Sequence, residues 1–313
     1  MTFEVHGQER IGELADDVVI DLSRAYELYH LEVAGRDKGP LKPFPQTMVE
    51  FLELGEDIRK HTSDVVAHVR GLLKSSSEEL LRRQKVALNV LDVHVLPPVP
   101  VPPKIVCLGL NYRDHAEEAH LPVPERPILF SKPSTAIVGL DDFVVYPAIT
   151  NQVDYEIELA VIIGKKGRNI PQSLAFDHIG GYTIFNDITA RDIQFADKQW
   201  FRGKSFDTFA PTGPCLVLSD QVSDPHRLKI ELRVNGEIRQ SGTTANMIFQ
   251  IPELVSFISR VMTLQPGDII ATGTPAGVGF YAKPKKGLLK PGDLMEAEIE
   301  GLGVLRNKVV SAQ

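Results

Sequence analysis

The sequence predicts an α+β protein that is mainly β, with a small N-terminal α+β module followed by a larger domain of mixed β-sheet. Three observations carry this. The run "LPPVPVPPK" (96–104) places five prolines in nine residues, which suits neither a helix nor a central strand and runs extended. It divides the chain into a module at 1–96, a linker at 97–103 and a domain at 104–313. Before it, short strands lead into segments with apolar residues at helical spacing. After it, the texture changes to short β-branched runs separated by Gly and Pro turns.

In the first module, "RIGELADDVVIDLS" reads as strands about a turn at "ADD". The segment "TMVEFLELGEDIRKHTSDVVAHVRGLL" has helical spacing. Thr47 is its expected N-cap, and Glu50 stands three residues on, as in a capping box. In the second part the expected strands are "KIVCLGL", "PILFSKP", "IELAVIIG", "IGGYTIFNDIT", "CLVLSD", "LKIELRVNGEIRQ", "DIIATGTP" and "LMEAEIEGLGVLRNKVV". Asn-Gly within "RVNGEI" is a hairpin signal. "QPGD" and "KPGD" are Pro-Gly turns leading into strands. Helices are expected after Asn111, around 171–176 and around 250–261.

Composition narrows the function. The 313 residues are 43% hydrophobic and 24% charged, as in an ordinary globular protein. A net charge of -7 argues against a nucleic-acid partner, whose footprint is a basic face. No apolar run reaches the ~20 residues of a membrane span. Cys107 and Cys215 each sit alone in apolar context and are expected as reduced core thiols. The first residues have no signal-peptide or transit-peptide character, so the expected compartment is the cytoplasm, or the mitochondrion in a eukaryote.

The chemistry centres on "NQVDYEIELAVIIGKK" (151–166), where Asp154, Glu156 and Glu158 alternate along a strand. Side chains two apart share a face, and like charges there repel unless a cation lies between them. A hard divalent ion on Glu156 and Glu158 resolves this; a solvated strand face is the alternative. Asp187 ends an apolar strand in "IFNDITARDIQ", placed as a third ligand or as the N-cap of a turn over 188–193. In "GLNYRDHAEEAH", His115 and Glu118 lie three apart on one helix face, an acid–base pair or an ordinary surface helix. The prolines and charges of 121–127 read as a flap beside them. Lys132 in "FSKPS" and Lys204 in "RGKSFDTF" are either solvated or set against substrate, Lys204 against a carboxylate or a developing enolate. "ATGTPAGVG" (271–279) lacks the ending of a P-loop, but its N–H groups and hydroxyls suit a small carboxylate.

Together "GLNYRDHAEE", "FSKPSTAIVG", "DYEIELAVIIGKK", "GGYTIFNDITARDIQ", "GKSFDTFAPTGP", "VNGEIRQSGTT" and "PGDIIATGTPAGVG" resemble the fumarylacetoacetate hydrolase superfamily over roughly 104–313. The resemblance implies that family's mixed-sheet fold and a divalent metal, Mg²⁺ or Mn²⁺ and Ca²⁺ in crystals, held by Glu156, Glu158 and Asp187. It implies that His115 and Glu118 form the acid–base dyad with Lys204 beside them. Arg191 and Gln194 match residues near the substrate, and Thr272 or Thr274 the threonine that binds its carboxylate. Asp154 matches no ligand. Lys132 is grouped with the substrate-facing residues. A homodimer and a small 2-oxo acid or 1,3-dicarbonyl carboxylate are the implied partners. The branch implied first is oxaloacetate keto–enol tautomerisation. Hydrolysis of a C–C bond in an acylpyruvate or fumarylacetoacetate-type substrate is the alternative, with oxaloacetate decarboxylation beside it. A metal-stabilised binding protein without turnover is the rival outside enzymes, and the set His115, Glu118 and Lys204 argues against it.

Overall fold

The structure is a computed structural model and describes residues 1–15, 17–34, 43–75, 77–282 and 287–312. The chain falls into two units, Met1–Leu96 and Pro97–Gln313.

The first unit opens with strands β1 (Thr2–Val5), β2 (Gln8–Ala15) and β3 (Val18–Asp21). Helices α1 (Leu22–Tyr29), α2 (Met48–Glu53), α3 (Gly55–Leu73) and α4 (Glu78–Arg83) follow, then β4 (Ala87–Asn89) and β5 (His94–Leu96). The strands form one sheet in the order β4-β3-β2-β1-β5. The turn expected at "ADD" includes Asp16, which lies outside the described residues; beside it Ala15 pairs with Val18. Thr47 caps α2 with the reciprocal Glu50 bond of a capping box. The helical segment then divides, because Gly55 holds φ at +70°, a left-handed value that a continuing helix does not accommodate. Helix α3 buries Thr62, Val65, Val66 and Val69, the stripe that a 3.6-residue period requires.

The second unit begins at 97–103, where the stretch expected to run extended instead bends at 98–101 and 103, with 97–99 and 102 buried. Its elements then run β6 (Ile105–Gly109), α5 (Arg113–Glu118), β7 (Ile128–Lys132), β8 (Ile137–Val138), β9 (Phe143–Tyr146), β10 (Val153–Asp154), β11 (Ile157–Ile163), β12 (Ile179–Asn186) and β13 (Thr189–Ala190). After these come α6 (Arg191–Ala196), α7 (Phe201–Lys204), β14 (Ala210–Leu218), β15 (Lys229–Val234), β16 (Glu237–Thr243), α8 (Ile251–Val261), β17 (Ile269–Ala271), β18 (Leu294–Ile299) and β19 (Gly303–Ser311). Among the described residues a seven-stranded mixed sheet runs β7-β6-β17-β11-β12-β14-β8 and a five-stranded sheet runs β16-β15-β18-β19-β9. The fold is α+β, as the sequence predicts.

Every residue of β11 and β12 is buried, which explains their near-continuous apolar runs. Their side chains share one core with Ile230 and Leu232 of β15, Ala297 and Ile299 of β18, and Leu254, Val255 and Ile258 of α8. The Asn-Gly signal forms a tight hairpin, with Asn235 and Gly236 both at positive φ and Val234 opposite Glu237. The two Pro-Gly-Asp turns close alike: Gln265 N–H donates to Asp268 and Lys290 N–H to Asp293. Around 171–176 the structure has 3₁₀ turns (Gln172–His178) instead of an α-helix, since Pro171 precedes the segment and β12 begins directly after it. The first N–H of α8 is capped from a distance: Ile251 N–H donates to His226 Nε2 at 3.1 Å.

Candidate active site and metal centre

The three alternating acids do not lie on one unbroken strand. The chain leaves β10 after Asp154, which pairs with Thr189 of β13, and joins the large sheet only at Ile157. At the break, Glu156 N–H donates to the Asn186 side chain at 3.0 Å, and Asp187 N–H donates to the Glu156 carbonyl at 2.8 Å. These bonds replace the missing ladder and bring the end of β12 against Glu156. Glu156, Glu158 and Asp187 are all buried, and each offers a carboxylate oxygen within 4.8 Å of the others. Asp187 does not cap a turn: α6 begins at Arg191 with Ala190 before it, and both Asp187 oxygens face lysines.

Three buried cations stand among these acids. Lys204 Nζ bridges Glu156 Oε2 and Asp187 Oδ2, both at 2.7 Å, and lies 5.1 Å from the centre of the Phe130 ring. Arg191 Nη2 reaches Glu156 Oε1 at 2.6 Å, and its Nη1 donates to Gln194 Oε1 at 3.2 Å. Burial pushes the Glu156 carboxyl up, but Lys204 and Arg191 outweigh it and hold it well below the usual carboxylate range. Burial pushes the Lys204 ammonium down, and Asp187 and Glu156 more than reverse this.

Glu158 differs. Its Oε2 accepts from Gly273 N–H at 2.7 Å, and among the described residues no ammonium or guanidinium pairs with it. Burial, then Asp187 and Glu156, push its carboxyl well above the usual range. A buried carboxylate in that position calls for a further positive charge. Three oxygen donors of hard character, close together and short of one cation, fit a divalent metal ion. Gly273 makes this possible: it holds φ at +94°, and a Cβ there would stand 2.8 Å from Asn111 Cβ. Asn111 braces the same corner, donating to the carbonyls of Phe249 and Thr272 and accepting from Phe249 N–H.

Beside the acids is a cavity of about 150 Å³. Glu156, Glu158, Arg191, Gln194, Lys204, His115 and Thr274 line one part of it; Phe130, Phe195, Trp200 and Leu121 line another. His115 Nδ1 stands 3.4 Å from Glu118 Oε2, and both Glu118 oxygens accept from Gly277 N–H at 3.0 Å. With Glu118 ionised, Nδ1 carries the proton and Nε2 is the basic nitrogen.

Two residues expected near substrate are absent from the cavity lining. Lys132 is not on the cavity wall: it is buried, with Nζ donating to Asp187 Oδ1 at 2.6 Å and to the Ile188 carbonyl at 3.0 Å. It orients Asp187. Thr272 also lies beneath the cavity, its hydroxyl proton donated to the Leu159 carbonyl at 2.8 Å. Thr274 is the threonine that reaches the wall, but its proton is spent on the Ile157 carbonyl at 2.8 Å. Its hydroxyl is held there by Gln240, whose Nε2 donates to it at 2.7 Å and whose Oε1 accepts from Ile157 N–H at 3.0 Å.

Sequence reasoning missed Trp200, Tyr281, Phe195 and Gln240. Trp200 had a signal: it is the chain's one tryptophan, four residues before Lys204. Its ring covers Gly109, where a Cβ would stand 2.1 Å from the indole. Tyr281 had none; its ring lies 6.1 Å from that of His115, centre to centre.

The comparisons with known proteins point the same way. A family model described as fumarylacetoacetate (FAA) hydrolase C-terminal matches residues 104–310. The chain is 48% identical over 268 residues to oxaloacetate tautomerase FAHD2A, mitochondrial, of Bos taurus, covering 85% of this chain and 80% of that protein. Fumarylacetoacetate hydrolase from psychrophilic Exiguobacterium antarcticum superposes with a TM-score of 0.76 at 36% identity, covering 99% of this chain and 98% of that one. A 2-hydroxyhepta-2,4-diene-1,7-dioate isomerase from Mycobacterium marinum superposes with a TM-score of 0.64 at 41% identity, covering 72% and 81%. The chain belongs to the fumarylacetoacetate hydrolase family of isomerases and carbon–carbon hydrolases.

Proposed function

We propose that the protein is a Mg²⁺-dependent oxaloacetate keto–enol tautomerase. The observation that carries this reading is a buried triad of Glu156, Glu158 and Asp187, two of which line the same cavity as His115, Arg191 and Lys204 while Asp187 stands behind Lys204. A hard divalent ion held by the three carboxylates supplies Lewis acidity to a 2-oxo carboxylate, making the adjacent carbon more acidic. The chain's own groups do the rest. His115 Nε2 takes a proton from C3 of the substrate and returns one to the enol oxygen, while Glu118 holds the ring and balances the imidazolium charge. Arg191 and Lys204 set positive charge beside the substrate's carboxylates and the oxygen on which charge develops. Gln194 fixes the Arg191 guanidinium. Support for the substrate comes from relatives named oxaloacetate tautomerase that align over most of this chain. A homodimer completes the reading and rests on the family resemblance alone.

One observation favours a second reading. Phe130, Phe195, Trp200 and Leu121 give the cavity an apolar side for which a four-carbon dicarboxylate has no use. An acylpyruvate would fill it, and C–C hydrolysis of such a substrate is the alternative.

The test follows enol-oxaloacetate by ultraviolet absorbance, with Mg²⁺ and with EDTA, while pyruvate is assayed in parallel. Metal-dependent loss of enol without pyruvate is expected. Pyruvate formed at the same rate means decarboxylation. No effect on either, with cleavage of an acylpyruvate into two fragments, establishes the hydrolase.

A further inference from the structure

We infer that Asp154, the acid left outside the metal triad, is a positioning residue that locks Arg191 and the loop 277–281 to each other at the cavity. This rests on the proposed role of Arg191 in holding a substrate carboxylate. Asp154 is fully buried and accepts four hydrogen bonds. Its Oδ2 accepts from Arg191 Nε at 2.9 Å and lies 2.8 Å from Nη2 as an ion pair, across 37 residues of sequence. Oδ2 also accepts from Phe280 N–H at 3.1 Å. Its Oδ1 accepts from Gly279 N–H at 2.8 Å and Tyr155 N–H at 2.9 Å. The guanidinium is thereby held by Asp154 at Nε and by Gln194 at Nη1, with Nη2 paired in charge to Asp154 and Glu156, so its placement at the cavity is set by these partners.

The loop end is fixed by the same carboxylate. A Cβ at Gly279 would stand 2.7 Å from Asp154 Oδ1, so only glycine lets the backbone come this close. The loop then delivers Tyr281 to the cavity wall beside His115. The loop is also tied at Gly273 to Glu158 and at Gly277 to Glu118. One backbone segment therefore senses a triad member, the dyad and, through Asp154, the arginine. Asp154 needs no metal to do this, which explains an acid two residues from Glu156 that stands outside the triad.

The test uses the full chain. In protein labelled with ¹⁵N-arginine, the Arg191 Nε–H, assigned with Arg191→Lys, is expected as a slowly exchanging resonance that Asp154→Asn abolishes. Oxalate serves as the 2-oxo carboxylate probe in the presence of Mn²⁺. Asp154→Asn is expected to leave Mn²⁺ affinity within about twofold and to weaken oxalate about tenfold, the scale of one charge-assisted contact. The double variant with Arg191→Lys is expected to bind oxalate no more weakly than Arg191→Lys alone, because the two residues act as one unit. An unchanged resonance, or losses that multiply, overturns the proposal. Should Asp154→Asn fail to fold, Gly279→Ala presses on Asp154 from the loop side and is expected to shift the same resonance; a shift confined to the loop overturns it. If the resonance behaves as expected but the native protein with Mn²⁺ binds no oxalate, the positioning role stands and the proposed function falls.

Discussion

In Met1–Leu96 charge sits mostly where water can reach it. Arg82 pairs with Glu78 and Arg83 with Glu79, one helical turn apart on α4, and all four side chains are at least one-third exposed. In Pro97–Gln313, Lys132, Asp154, Glu156, Glu158, Asp187, Arg191 and Lys204 converge with almost no exposure. Exposed pairs gain little, because water screens them and long side chains lose freedom to meet. Buried ones are costly to desolvate, and a hydrophobic core of similar volume is often as stable. A cluster that a core could replace, yet that gathers four acids around three cations, is arranged for chemistry rather than stability.

Substitutions sharpen that contrast, and the largest effect is expected at Lys204. Lys204→Met strands Glu156 and Asp187 without their shared ammonium and should cost about 3–5 kcal/mol by urea denaturation. Mg²⁺ should restore part of the loss; a change under about 1 kcal/mol would show that burial there is weaker than the contacts imply.

Glu158→Gln should move function and stability in opposite directions. Divalent-ion affinity should fall about 100-fold by calorimetry, since a ligand carboxylate is lost. The metal-free protein should melt higher, because the charge removed is the one that burial, Asp187 and Glu156 already oppose. A lower melting temperature without metal would remove the argument that the triad lacks a cation.

His226 offers a smaller effect with a defined sign. Burial lowers its imidazole below the ordinary value, against the pull of Asp224, and the neutral ring accepts from Ile251 N–H. The unfolded chain therefore binds the proton more readily. Stability from this group is complete above the unfolded value of about 6.5 and is lost as pH falls from there toward the depressed folded value. His226→Gln should remove that slope between pH 8 and 5.5 in urea titrations and cost about 1 kcal/mol at pH 8, as for a helix cap. An identical slope in both proteins would mean that another group titrates.

Least of all is expected at the surface. Arg82→Ala should change stability by no more than about 0.5 kcal/mol. A larger loss would erase the contrast between the two units.

The legible parts of the sequence were those set by neighbours along the chain. Thr47 with Glu50, Asn235 with Gly236, and the two Pro-Gly-Asp turns each satisfy their backbone within a few residues, so a local pattern is enough. Residue chemistry singled out Glu156, Glu158, Asp187, His115, Glu118 and Lys204 as candidates, and the structure brings them to one cavity region. What local pattern could not hold is the partner of a charge. Lys132 looked substrate-facing in "FSKPS", but its ammonium is taken by Asp187, 55 residues on. Thr272 and Thr274 looked alike until strand pairing put one beneath the cavity and one on its wall. Asp154 looked like a third member of a charged face; the break after β10 turned it toward Arg191 and the loop at 279.

By itself, the sequence determined the α+β character, the proline-rich boundary near 97 and which acids, His–Glu pair and lysines stand out as candidates. Periodicity, turn residues and donor type are properties of short segments, so they survive without a fold. Only the tertiary structure decided which acid pairs with which cation, and which carboxylate is left short of one. Those outcomes depend on distances across strands far apart in sequence and on how completely water is excluded, and burial sets the worth of every charge.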